Sequence, residues 1–181
     1  MDERTKQLFE QLEKGSKQEQ MDAFESLLEE MEKKVPWAYE VWDELVAHLY
    51  DEDAHRRSRA AQFLSYLAKS DPEDRILRDF DKVWRVTKDE KFVTARHALQ
   101  AIWRVGIGGE KQKNLVTGHM IERFYTCEEE KNYTLLREDI LKGLRSLYEH
   151  EEDPYIEEQA KGLIDSVDDE KYAKKYRKIW K

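Results

Sequence analysis

Helical periodicity runs through almost the whole chain, and few residues interrupt it. Apolar side chains recur every three or four positions between Met21 and Met31, between Val41 and Leu49, and in later segments, a spacing that places them on one face of a helix. Only seven Gly and three Pro occur among 181 residues, too few for the turns of a β protein. The sequence therefore predicts an all-α fold of about eight or nine helices, in one domain over residues 1–181.

The high charge of the chain does not predict disorder. Charged residues make up 40% of the sequence, but five Trp, nine Tyr and six Phe accompany them. Disordered chains usually lack such large apolar groups, which offset the loss of chain entropy on folding. The composition favours a folded protein with a thin core and a large polar surface, as in an elongated array of helices.

Two acid-proline pairs predict helix starts. In Asp71-Pro72 and in Asp153-Pro154, the aspartate is expected to cap the helix and the proline to occupy its first position.

Two segments repeat at a spacing of 37–38 residues. Residues 51–68 read DEDAHRRSRAAQFLSYLA, and residues 89–106 read DEKFVTARHALQAIWRVG. Each opens with acids, has an arginine six residues after an acid, and continues with alanine and an apolar ladder. A looser copy begins at Asp153. A repeat of this length is typical of one helix hairpin.

This pattern resembles the HEAT family of helical repeats, best over residues 51–127. The resemblance implies an α-solenoid, an α-α superhelix of stacked helix hairpins. In that family an acid and an arginine bond across neighbouring repeats, which implies structural ladder roles for Asp53, Arg59, Glu90 and Arg96. The third copy has Gln159 in place of the arginine. An irregular helical bundle is the alternative fold.

No residue pattern predicts catalysis, a cofactor or a metal site. None of the five histidines has another histidine three or four residues away, as a metal-binding helix would. Cys127 precedes three glutamates, which disfavour a reactive thiolate. Residues 106–111 contain three glycines but lack the spacing of a phosphate-binding loop. We therefore expect a protein that is not an enzyme.

The same sequence favours a cytoplasmic protein. A single cysteine excludes a disulfide within the chain and fits a reducing compartment. No run of apolar residues approaches the length of a membrane span, and the first residues lack the apolar core of a signal peptide.

The distribution of charge suggests a binding surface. Residues 54–125 hold 15 Lys and Arg against 9 Asp and Glu, whereas the chain as a whole has a net charge of −8. Four basic side chains follow one another at spacings of three, four and three, which places them on one helix face. The candidate partner-binding residues are these four together with two further arginines: Arg75, Arg78, Lys82, Arg85, Arg56 and Arg104.

Two functions compete at this point. The first is a scaffold that binds a macromolecular partner, in the first place a protein with an acidic patch, through a solenoid groove. The second is nucleic-acid binding through the basic central repeats. For the second, the HEAT-like DNA-alkylation-repair proteins offer a likeness in architecture only, and the acidic net charge weakens it.

Overall fold

The computed structural model describes all residues from 1 to 181 and consists of helices without any strand. The all-α prediction is thus confirmed, with ten α-helices where eight or nine were expected. None of them is both long and apolar enough to cross a membrane. The helices are α1 (Glu3–Lys14), α2 (Lys17–Met31), α3 (Ala38–His48), α4 (Ala54–Leu67), α5 (Arg75–Val86), α6 (Phe92–Ala101), α7 (Glu110–Thr126), α8 (Tyr133–Glu151), α9 (Pro154–Asp165) and α10 (Glu170–Arg177), with 3-10 turns at 68–70, 102–108 and 178–180.

The first helix accounts for part of the difference in number. Asp2 caps α1 by accepting a hydrogen bond of 2.8 Å from the backbone N–H of Thr5. Its apolar stripe is short, since only Leu8, Phe9 and Leu12 interrupt a run of charged and polar residues. Leu12 is nevertheless buried, so a thin stripe suffices to hold this helix against its neighbours.

The helices pack in two rows. The even-numbered helices from α2 to α10 contact one another in series, and so do the odd-numbered helices from α3 to α9. Chain neighbours such as α3 and α4, or α8 and α9, pack across the rows. Forty buried side chains form one continuous hydrophobic cluster between the rows, so the chain has a single core.

Small side chains accompany the closest packing. The contacts from α4 to α6 and from α6 to α8 are more extensive than those between successive odd-numbered helices. Ala60 and Ala61 on α4 and Ala95 and Ala98 on α6 are all buried, and small residues let helix backbones approach closely.

Glycine permits another close approach, between two of the 3-10 turns. A Cβ atom added to Gly108 would lie 2.9 Å from the carbonyl oxygen of Ala68. The turns at 68–70 and 102–108, which follow α4 and α6, can therefore touch only because residue 108 lacks a side chain.

Of the two acid-proline pairs, only Asp153-Pro154 begins a helix as predicted. Asp153 caps α9, and Pro154 is its first residue, as predicted. Asp71, by contrast, precedes a turn, and α5 begins only at Arg75. Asp71 still accepts a 2.7 Å hydrogen bond from the backbone N–H of Ile76, so it serves the helix start from outside the helix.

Candidate functional site

The basic stripe on α5 surrounds a buried carboxylate. Arg78 and Lys82 donate to Asp79 at 3.1 and 2.7 Å, and the indole N–H of Trp42 on α3 donates to it at 3.0 Å. Burial alone would raise the pKa of Asp79, but these three hydrogen bonds outweigh burial and lower the pKa to about 2. Both cations therefore help to stabilise a charge inside the fold.

The ends of the stripe rest on aromatic rings of the α3 segment. The Arg75 guanidinium lies 3.9 Å from the ring centre of Tyr39 and pairs with Glu73 at 3.1 Å. Arg85 lies 4.1 Å from the ring centre of Tyr50 and donates to a backbone carbonyl. All four stripe residues share the surface between α3 and α5, on the odd-numbered row.

The two additional arginines contact other elements. Arg56, at the start of α4, pairs with Glu13 and Asp51. Arg104 pairs with Glu32 at 2.9 Å. The structure thus does not bring these two arginines into the α5 stripe, and five of the six candidates have a carboxylate of the same chain as partner.

The predicted ladder arginines are both bound within the fold, but to other groups than expected. Arg59 donates to the carbonyl of Leu12 at 3.2 Å and to the amide oxygen of Gln20 at 2.9 Å. Arg96 forms a two-pronged pair with Asp139 on α8, at 2.6 and 2.9 Å. Arg59 thus connects α4 to α1 and α2, and Arg96 connects α6 to α8.

The predicted ladder acids have no such role. Asp53 caps α4 through the backbone N–H of His55, and exposed Glu90 approaches only Lys91, at 3.9 Å. The acid-arginine bond between the two repeat segments is formed instead by Arg57 and Asp89, at 2.7 and 3.0 Å. Their guanidinium–carboxylate pair is largely buried.

A second surface emerges from the even-numbered row. Positions 55, 59, 62 and 66 share one side of α4, and corresponding side chains of α6, of the turn after it and of α8 continue that side. We call it the α4–α6–α8 face. Its members are half-buried or exposed: His55, Arg59, Gln62, Tyr66, Arg96, His97, Gln100, Trp103, Arg104, Lys142 and Arg145.

Contacts at the centre of the face join α4 to the turn after α6. Arg104 lies 3.9 Å from the ring centre of Tyr66 on α4 and 4.4 Å from that of Trp103. A Cβ atom on Gly143 of α8 would lie 3.6 Å from the side chain of Trp103. On α8, Arg145 lies 5.5 Å from the ring centre of Trp180 in the last 3-10 turn. Arginine and aromatic side chains thus lie against each other in two places, at Tyr66, Arg104 and Trp103 and at Arg145 and Trp180.

The centre of this face lacks negative charge of its own. Residues 54–70 and 91–109, which form α4, α6 and their turns, contain no Asp or Glu, although the chain has 40 of them. Acids reach the face from neighbouring helices: Glu32 pairs with Lys69 and Arg104, and Asp139 pairs with Arg96. Arg59 has only neutral partners. Excess positive charge remains on this part of the face.

Other reactive residue types are dispersed or buried. No group of three or more His, Cys, Asp or Glu side chains is arranged to hold a metal ion. Cys127 is fully buried, and burial raises the pKa of its thiol.

Sequence reasoning missed Arg57, Asp79, Asp89 and Asp139 as structural anchors, and Tyr66 and Trp103 as members of a surface. For Asp89 the sequence held one signal: it occupies the same repeat position as Asp51, one repeat earlier. Comparison with protein-family profiles, with curated proteins and with solved structures finds no match for this chain.

Proposed function

We propose that the chain is a HEAT-like α-solenoid that acts as a non-enzymatic interaction module. Two rows of helices, each in contact with the next, are the arrangement that stacked helix hairpins produce. Because α4, α6 and α8 pack more closely than successive odd-numbered helices, we expect the array to curve toward the even-numbered row. The α4–α6–α8 face then lies on the concave side, where a partner gains the largest contact area.

One observation carries the choice of surface: two adjacent helices of an acidic chain contain no carboxylate, and both belong to this face. Arg, His, Gln, Tyr and Trp side chains cover it, and Arg and the aromatic residues are enriched at protein interfaces. The α5 stripe is less suitable, because Arg78 and Lys82 are needed to neutralise buried Asp79.

The partner that this surface fits best is a protein with an acidic segment. Excess positive charge attracts such a segment and orients it, while the rings of Tyr66 and Trp103 offer contact area for apolar side chains. The single buried cysteine is compatible with a reducing compartment, which supports a cytoplasmic place for the complex.

Nucleic acid is the second candidate, on the evidence of the arginine–aromatic contacts. In proteins that bind single-stranded nucleic acid, aromatic side chains stack on the bases while neighbouring basic side chains contact the backbone. Against it, the net charge of the chain is −8, and Arg96 and Arg104 already have carboxylate partners. A polyanion would have to compete with those acids.

The test compares two variants with equal changes in net charge. Gln62→Glu, His97→Glu and Lys142→Glu together place carboxylates on the α4–α6–α8 face, and Lys88→Glu with Lys111→Glu is the control outside it. All but half-buried Gln62 are exposed. Tagged protein recovers partners from a native extract, with and without nuclease, and quantitative mass spectrometry compares the amounts.

We expect the face variant to lose a protein partner that the control variant and the nuclease-treated sample retain. Partners that depend on nuclease-sensitive material would favour the nucleic-acid alternative. Retention of every partner by the face variant would contradict the choice of surface.

A further inference from the structure

A cleft separates α1 from α3, where the odd-numbered row begins. Successive helices from α3 to α9 pack against one another in this row, but α1 and α3 do not pack along their lengths. Phe9 of α1 closes one part of the gap by meeting Trp37 edge to face, with ring centres 5.7 Å apart. Elsewhere the gap is open to solvent and has α4 as its floor.

The floor of the cleft is apolar. The cleft has a volume of about 380 Å³, within the range of roughly 300–1,000 Å³ that ligand pockets occupy. Six apolar side chains from three helices form the floor and the walls: Phe9, Leu12, Val41, Leu45, Ala60 and Phe63. Phe9 is half-buried and the other five are buried, so only their edges reach the cleft.

The two helices that form the walls run side by side in the same direction. The Met1 amine contacts Glu40 near the start of α3. At the other end of α1, Glu13 pairs with Arg56 at the start of α4, shortly after α3 ends. The two walls are therefore roughly parallel, and these two contacts bound the cleft at its ends, so that an occupant lies over its open side.

The rim on α1 carries a regular pattern of charge. Lys6, Glu10 and Lys14 follow one another at spacings of four residues and line the cleft. None of the three forms an ion pair within the chain, and all are exposed. On the opposite rim, Glu44 approaches only His48, at 3.9 Å. Charges without partners at the edge of an apolar groove specify the orientation of whatever fills it.

We propose that this cleft binds one amphipathic helix of a protein partner. Its apolar stripe fills the groove over Ala60, as helices do in the helix-in-groove mode of recognition. One polar edge carries Glu, Lys and Glu at spacings of four, opposite Lys6, Glu10 and Lys14. The other edge carries a lysine that faces Glu44. This site lies beside the α4–α6–α8 face and shares only Arg59 with it.

Two synthetic helical peptides test the proposal. Both have the same leucine stripe and a lysine on the edge toward Glu44. The matched peptide has Glu-Lys-Glu at spacings of four on its other edge, and the inverted peptide has Lys-Glu-Lys. Fluorescence anisotropy of labelled peptide at low ionic strength measures binding to the full chain. We expect the matched peptide to bind about tenfold more tightly, because three attractive pairs replace three repulsive ones.

A charge-swapped variant supplies the decisive control. Lys6→Glu, Glu10→Lys and Lys14→Glu together invert the pattern on the α1 rim at exposed positions, and circular dichroism checks that the helices remain. The variant should prefer the inverted peptide by a similar factor. The proposal is wrong if neither peptide binds the wild type, or if the preference is the same for the wild type and the variant. The face variant Gln62→Glu, His97→Glu and Lys142→Glu should bind both peptides as the wild type does.

Discussion

The buried carboxylate of Asp79 is stabilised by partners on its own helix and on the neighbouring one. Asp79 takes hydrogen bonds from Trp42 on α3 and from Arg78 and Lys82 on its own helix. Its side chain is only 2% exposed, so an unpaired charge there would be costly. Since all three partners stabilise the ionised form, the pKa of Asp79 falls to about 2.

This pairing predicts a pH dependence of stability. A carboxylate whose pKa is lower in the folded than in the unfolded state stabilises the fold above its unfolded pKa, and loses that effect as the pH falls through the folded pKa. A shift from 3.8 to about 2 corresponds to about 2 kcal/mol. Asp79→Asn should therefore be less stable than the wild type by about 2 kcal/mol near neutral pH, with a difference that shrinks below about pH 4.

Urea unfolding at a series of pH values measures that difference. Exposed Asp81, two residues away, supplies the matched control Asp81→Asn, which should stay close to the wild type throughout. A gap between wild type and Asp79→Asn that is constant with pH would show that Asp79 does not depend on its charge.

The two ladder arginines should differ in their effect on stability. Arg96→Ala leaves buried Asp139 with only the 3.0 Å bond from Gln100, and should cost about 1–3 kcal/mol. Arg59→Ala breaks hydrogen bonds to neutral groups only, and should cost about 1 kcal/mol or less. Denaturation midpoints of both variants check this, and an equal cost for both would contradict the distinction.

Sequence reasoning reached the residues of the binding surface only in part. The α5 stripe was visible because four basic residues have helical spacing, and a pair between Asp79 and Lys82 is expected from the same spacing and is present. The burial of Asp79 was not visible, since its contact with Trp42 joins residues 37 positions apart. Arg104 was named for its charge, and only the fold shows that it lies between Tyr66 and Trp103. Such clusters form between distant segments, so helical spacing within one segment does not predict them.

At the scale of helices and turns, boundaries follow local signals unless a distant contact intervenes. Asp153 and Pro154 start α9 as their sequence predicts. At Asp71 the same signal is displaced, because the side chain of Tyr39 donates to Asp71 and also accepts a 2.8 Å bond from the N–H of Glu73. The turn between Asp71 and α5 includes Asp74 in the left-handed region, with φ 54°, and α5 begins at the next residue.

Two glycines provide a prediction at this scale. Gly108→Ala forces a methyl group against the backbone of Ala68, and should destabilise the fold by about 1–3 kcal/mol. Gly118, within α7, has nothing within 4 Å of its missing Cβ. Gly118→Ala should therefore stabilise the fold by about 0.5–1 kcal/mol through helix propensity. Thermal unfolding compares the two, and a similar shift in both would show that the turns do not need the close approach.

For the whole molecule, the sequence predicted the helical class and the length of one hairpin, since both depend on local periodicity and on repeat spacing. It did not predict the ladder partners Arg57 and Asp89, or that two helices without acids would lie side by side. Those features depend on how far each hairpin rotates against the next, and that rotation is determined by side-chain packing between hairpins.

On the proposed function, a partner binds the even-numbered row. A photo-crosslinking amino acid placed at Gln62 or His97 lies on the α4–α6–α8 face, whereas one at Asp81 or Glu122 lies on exposed surface of the odd-numbered row. After irradiation of the protein with its partners in a native extract, we expect adducts of one partner from positions 62 and 97 but not from 81 and 122. Adducts of a partner from 81 and 122 alone would contradict the claim.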